Sequence, residues 1–284
     1  MIKTATQLKA KIRNLSKGDS LKASILIRNF IMERFLERMA LSQYRNNFIL
    51  KGGMLVAAVV GLETRATMDI DTTVKSLNLS RENAEKIIKN IIKVAVPDGI
   101  SFRIIKISEI MEDHDYPGIR FMLEAKFDEM RQAVKVDIST GDVITPNAIE
   151  YSYKLMFEDR SISIWTYNLE TLLAEKLETI MARATANSRM RDFYDIHILM
   201  KQSNINLEIL KKAFKATSKA RGTEALIPQF EEILEMIKND VSMKALWDKY
   251  CADSFFVNNL SWIEVNDSVR ELKMLLRLGT QGSQ

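Results

Sequence analysis

Apolar residues recur every three or four positions through "SLKASILIRNFIMERFLERMAL", with Leu21, Ile25, Phe30 and Leu36 along the stripe and polar residues filling the gaps. That period predicts an amphipathic helix, with Ser20 as its N-cap. "NNFILKGG" then reads as a short strand ending at a glycine turn, and "MLVAAVVGL" as a short buried helix. "MDIDTTVK" reads as a strand, and "SRENAEKIIKNIIKVAV" as a helix capped by Ser80. Three β-like runs follow, "SFRIIKISEI", "IRFMLEAKF" and "QAVKVDIST", with "DEMRQ" as the hairpin between the last two. The pattern is β-α-β-α-β-β-β, an α/β sheet that is largely antiparallel at one edge.

From about residue 168 only helical periods remain, over 169–185, 191–202, 206–218, 225–239, 242–250 and 261–277. The chain is therefore divided into an α/β part, 1–168, with an amino-terminal helix, and an all-helical part, 169–284. "GTQGSQ" reads as a frayed tail. No internal repeat or low-complexity tract is evident.

Composition narrows the function classes. With 284 residues, 46% hydrophobic and 27% charged, the chain reads as an ordinary globular protein with enough length for a proper core. One cysteine, Cys251, and two histidines, His114 and His197, offer neither a disulfide nor a zinc cage. No apolar signal core and no run of roughly 18 apolar residues is present, so the expected location is the cytoplasm, with no membrane association. The net charge is +4, unevenly spread. Residues 1–40 hold nine Lys or Arg against three acids, a net +6, leaving −2 for the remainder. Such a segment suits a phosphate backbone or, equally, a solvated helix face.

The candidate chemistry is concentrated between residues 47 and 75. Asp69 and Asp71 are two apart on a strand, hence on one face. Two carboxylates there repel unless they are solvated or share a divalent cation, and Mg²⁺ asks for such hard oxygen ligands. By itself D-x-D also fits an exposed strand edge. Gly52 and Gly53 sharpen the reading: they end one strand and open a helix, where backbone amides suit an anionic oxygen and a missing Cβ admits a phosphate. Alternation in "AVKVDIST" puts Val134, Val136 and Ile138 on one face and Lys135 and Asp137 on the other. If that strand lies beside the D-x-D strand, three carboxylates converge. Three carboxylates can hold two metals for an in-line displacement.

"LKGG", "RATMDIDTTV" and "VKVDI" resemble the nucleotidyltransferase superfamily that includes DNA polymerase β. More narrowly, "FLERMALSQYRNNFILKGGML", "TRATMDIDTTV" and "NLETLLAEKLETIMARATANSRMRDFYDIHIL" resemble the AbiEii/AbiGii toxins of type IV toxin–antitoxin and abortive-infection systems. The resemblance covers most of residues 1–200 and thins after about residue 205. It implies a polymerase β-like core with a mixed sheet in 1–168 and a helical C-terminal domain. It implies that Gly52 and Gly53 contact a nucleoside triphosphate, and that Asp69, Asp71 and Asp137 are catalytic and ligate Mg²⁺, two ions in all. It further implies a lysine near the phosphates at Lys176 and a further catalytic acid at Asp192, with Asp195 beside it. Without the resemblance, Lys176 reads as a surface lysine near Glu175 and Glu178. Arg65 either reaches phosphate or pairs with Asp69. Met54 departs from family members with Ser or Thr after the glycine pair, which removes a side-chain hydroxyl there.

The expected activity is transfer of NMP from an NTP to an acceptor, by resemblance an RNA such as the tRNA 3′ end. Growth arrest or abortive phage infection would follow, and a nearby gene would encode the cognate antitoxin. An NTP-binding module without transfer and a non-enzymatic interaction protein are the competing readings. Both leave the three clustered carboxylates without a use, and packing unused carboxylates together is costly.

Overall fold

In the computed structural model, residues 2–77, 79–110, 118–257 and 259–276 are described. His114, with its neighbours Asp113 and Asp115, and the segment "GTQGSQ" lie outside them. Two compact units form: Met1–Asp142 with Ala148–Tyr167, and Val143–Asn147 with Asn168–Gln284.

The first unit begins with α1 (Ala5–Ser16) and α2 (Ser20–Leu41). Asp19, not Ser20, caps α2 by accepting from the Lys22 N–H at 2.9 Å, so Ser20 is the first helical residue. Then come β1 (Phe48–Lys51), α3 (Gly52–Val60), β2 (Asp69–Val74), α4 (Arg81–Ile92), β3 (Ile100–Ile110), β4 (Gly118–Phe127) and β5 (Met130–Thr140). Ser80 caps α4 as expected. The strands β6 (Ile149–Lys154) and β7 (Ser161–Thr166) extend the sheet beyond the sequence reading. The helix α1 is likewise new, held by Leu8 and Ile12 in an otherwise polar segment.

The sheet order is β3-β4-β5-β2-β1-β7-β6. β2 and β5 are parallel, as are β1 and β7, and the other neighbours are antiparallel, so the sheet is mixed. α2 packs on β5 and β7, and α4 on β3. Period-2 alternation gives the sheet two characters. One face carries Leu50, Ile70, Phe121, Leu123, Val134, Val136 and Ile138, all fully buried. The register puts Lys51, Asp69, Asp71, Lys135, Asp137 and Arg120 on the other.

Charge is also buried inside this unit. On α2, Arg34 Nη1 lies 2.8 Å from Glu158 and 3.3 Å from Glu37, and Glu37 also meets Arg160 at 2.5 Å. Glu33 accepts from the Met156 N–H at 2.8 Å and from Asn29 at 3.1 Å. Burial pushes the Glu33 carboxyl up to about 8, against the lowering pull of the Met156 hydrogen bond and of Arg34.

The second unit is helical: α5 (Leu169–Arg183), α6 (Met190–Gln202), α7 (Leu207–Ala220), α8 (Phe230–Asn239), α9 (Val241–Ala252) and α10 (Trp262–Leu275). α5 packs on α7, and α6 on α10. Asn168 caps α5, accepting from the Thr171 N–H at 2.7 Å, and its amide donates to the carbonyls of Thr145 and Asn147 at 2.8 and 3.0 Å. Those bonds tie residues 143–147 to the helical unit. His197 is buried, with Nδ1 2.7 Å from Ser268 Oγ. No helix among the described residues is long and apolar enough to cross a membrane.

Candidate active site

β1, α3 and β2 form one strand–turn–helix–strand unit. Gly52 adopts φ +67°, a left-handed conformation that a side chain resists. A β-carbon there would also collide with the Asp71 carboxylate, so the glycine turn and the acid are in direct apposition. A β-carbon at Gly53 would come within 2.6 Å of Thr67 Oγ1 and 3.3 Å of the Arg65 guanidinium. Both glycines are therefore required by close approach. Lys51, the residue preceding α3, gives the helix no side-chain cap. Its ammonium turns to Asp142 at 2.6 Å, which also accepts from Ser139 at 2.5 Å. Burial works to raise the Asp142 carboxyl, but Lys51 and these hydrogen bonds outweigh it and hold it below the usual range.

β2 and β5 bring the three sequence-predicted acids onto adjacent strands. Asp71 pairs in register with Asp137, and Asp69 with Lys135. Asp69 accepts from Thr67 Oγ1 at 3.1 Å, and its Oδ2 lies 2.5 Å from Lys135 Nζ. Lys135 Nζ is also 3.9 Å from Asp137. Arg120, opposite Asp137 on β4, grips both of its oxygens at 2.8 Å. That hydrogen bonding keeps the Arg120 guanidinium more firmly protonated than usual against partial burial, helped by the charges of Asp137, Asp69 and Asp71. Arg65 is buried, its guanidinium donating to the Ala66 carbonyl.

Donor type and register suit a divalent cation: three carboxylates on one face of two neighbouring strands. In the arrangement seen, however, no group of three or more His, Cys, Asp or Glu side chains among the described residues is gathered for a metal ion. Lys135 and Arg120 hold Asp69 and Asp137. The sequence left these two cations unassigned. Lys135 carried a signal, since alternation placed it on the face of Asp137. Arg120 carried none, because only the β4–β5 register aligns it.

Lys176 and Asp192 lie in the helical unit and meet there. Lys176, 6% exposed, places Nζ 2.8 Å from Asp192 Oδ1 and 2.7 Å from Asp195 Oδ2. Both carboxylates are fully buried, and Arg189 adds a contact to Asp192 at 2.7 Å. Burial alone would raise the Asp192 carboxyl, but the charges of Lys176 and Arg189 drive it far below its ordinary value. The surface-lysine alternative for Lys176 is thereby excluded: Glu175 and Glu178 are its near neighbours in sequence, yet α5 turns this side chain inward to α6.

Comparison with solved structures finds similar chains. JHP933 from Helicobacter pylori is 19% identical, with TM-score 0.50, over 89% of this chain and 91% of that one. The "putative nucleotidyltransferase from H. pylori" is 19% identical, with TM-score 0.49, over 92% of this chain and 98% of that one. An antigenic nucleotidyltransferase-like protein from Paracoccidioides brasiliensis is 13% identical with TM-score 0.40 over 83% and 95%. The first of these likenesses speaks to the fold alone. No curated protein is matched by the chain. The family description "Nucleotidyl transferase AbiEii toxin, Type IV TA system" matches residues 34–270. The chain belongs to this AbiEii family and is a nucleotidyltransferase.

Proposed function

We propose that the protein transfers NMP from an NTP to an RNA acceptor such as the tRNA 3′ end, in a Mg²⁺-dependent reaction. The observation that carries this reading is the apposition of the Gly52 turn to Asp71, itself opposite Asp137. The backbone N–H groups at the start of α3, lacking a side-chain cap, point their partial positive charge at the triphosphate. Arg65, packed against Gly53, adds charge at the phosphate end. Asp69, Asp71 and Asp137 are the residues that would hold Mg²⁺, two ions in all. Bound there, the metal supplies charge neutralisation on the phosphates and activation of the attacking oxygen. The acceptor hydroxyl oxygen bonds to the α-phosphorus as the bond to pyrophosphate breaks. Asp137 takes the hydroxyl proton, and pyrophosphate leaves with the bonding pair. An RNA acceptor is supported by Lys9, Lys11 and Arg13, all exposed on α1.

Family membership supports growth arrest as the outcome, with a cognate antitoxin as partner. Lys176 and Asp192 remain proposed participants, Lys176 toward the nucleotide and Asp192 as an acid. The test is incubation with each α-labelled NTP and total RNA. Label on RNA with wild type and none with Asp71→Asn supports the proposal. Consumption of NTP without labelled RNA would move the acceptor to another class.

A further inference from the structure

Lys135 lies on this face and has no part in the reaction proposed above. It precedes Asp137 by two positions, so the pleat aims both side chains the same way. The register then sets it opposite Asp69. Its ammonium is 2.5 Å from Asp69 and 3.9 Å from Asp137, while Arg120 grips Asp137 from the other side. The chain thus supplies its own positive charge among the acids read above as cation ligands.

We propose that Lys135 and a divalent cation are alternative counter-ions of Asp69 and Asp137, so that cation binding expels the Lys135 ammonium. The inference rests on the reading of these acids as cation ligands. The two resident cations differ in how readily they give way. Arg120 uses a planar fork on both oxygens of Asp137, a geometry that resists piecemeal loss. Lys135 presents a point charge on a flexible stem, and 29% of its side chain is exposed, so water can receive the displaced ammonium. A single positive charge keeps the carboxylates together in the absence of cation. A double charge with several oxygen ligands outcompetes it. The pair is open to water on the lysine side only, so the ammonium can leave into solvent while the buried Asp69 carboxylate exchanges one counter-ion for another.

Mn²⁺ binding, followed by electron paramagnetic resonance of the free ion, reads the competition without any turnover. Lys135→Met should bind Mn²⁺ roughly 5–10-fold tighter than wild type, the scale of one modest ion pair. Lys135→Arg, which restores the charge, should return toward wild type, and Asp71→Asn should bind more weakly. In wild type, acetylation of Lys135 followed by mass spectrometry should accelerate several-fold when Mn²⁺ is added. This second measurement holds even if the methionine variant folds poorly. Equal or weaker Mn²⁺ affinity in a folded Lys135→Met, or an unchanged acetylation rate, with binding still dependent on Asp71, overturns the exchange and leaves the cation reading standing. Absence of Mn²⁺ binding in every variant overturns both.

Discussion

Asp71 and Asp137 stand opposite one another on neighbouring parallel strands, 66 residues apart in sequence and matched in register. Their surroundings differ. Asp71 abuts the Gly52 turn, whereas Asp137 is gripped by Arg120. The two acids should therefore separate in function. Asp71→Asn should weaken both NTP binding and transfer. Asp137→Asn should leave Mg·NTP binding within a few-fold of wild type yet slow transfer at least ~10²-fold, the lower range for loss of a general base. Calorimetric titration with a non-hydrolysable NTP and a single-turnover assay measure the two quantities. Near-normal transfer by Asp137→Asn would remove it as the proton acceptor.

Gly52→Ala should damage the site through geometry alone. The positive φ costs a side chain about 1–2 kcal/mol, and the new methyl displaces the Asp71 carboxylate. Transfer should fall far more than stability does. Gly61→Ala is the control, since its φ is +89° and nothing lies near its Cβ position. It should lose comparable stability and keep activity. Equal activity losses in the two variants would refute a special role for the Gly52 turn.

Lys176→Met should destabilise the protein by roughly 3–5 kcal/mol, the usual cost of stranding buried charge, because it leaves Asp192 and Asp195 facing each other without the ammonium. Adding Asp192→Asn should recover part of that loss, so the two changes should be non-additive in denaturant unfolding. The acid limb of stability should show Asp192 as well. Its folded-state carboxyl is depressed, so its stabilisation is present above the ordinary carboxylate range and disappears as pH falls through the depressed value. A melting temperature unmoved by Lys176→Met would contradict the burial of this cluster.

Glu33 acts with the opposite sign. Its folded-state value is raised to about 8 from an ordinary 4.5. The stability linked to its proton is full below pH 4.5 and is lost as pH rises through about 8. Glu33→Gln, which keeps an acceptor for the Met156 N–H, should remove that dependence. The variant should gain melting temperature relative to wild type at pH 8–9 and little at pH 5. Parallel pH–stability curves for the two proteins would refute the buried, protonatable Glu33.

Much of this site could be read from local periods. A change from period 2 to 3.6 at Gly52, and back at Asp69, outlines β1, α3 and β2 without any distant information. What could not be read depends on distant pairing. β7 joins the sheet by lying parallel to β1, Ile49 beside Trp165, and no local pattern in "SISIWT" announces such a partner. Lys135 was visible as a neighbour of Asp137, but its closest acid, Asp69, lies 66 residues earlier. Lys176 shows the same limit. Its helix was legible, but the sequence spacing pointed to Glu175 and Glu178 on its own turn, while its real partners sit on α6.

The hydrogen bonds that tie Thr145 and Asn147 to Asn168 and Thr171 can close only late in synthesis. The ribosome delivers Val143–Asn147 first, then the β6–β7 hairpin, and only afterwards the residues that close on that loop. When Tyr167 emerges, the first unit has its last strand, and the five-residue loop still waits for partners not yet translated. A nascent chain released at that point would carry the Thr145 and Asn147 carbonyls facing water, and a separately expressed helical fragment beginning at Asn168 would start with a cap amide that has nothing to hold. The helical unit is thus completed by five residues borrowed from earlier in the chain, and a cut at residue 168 leaves it without them.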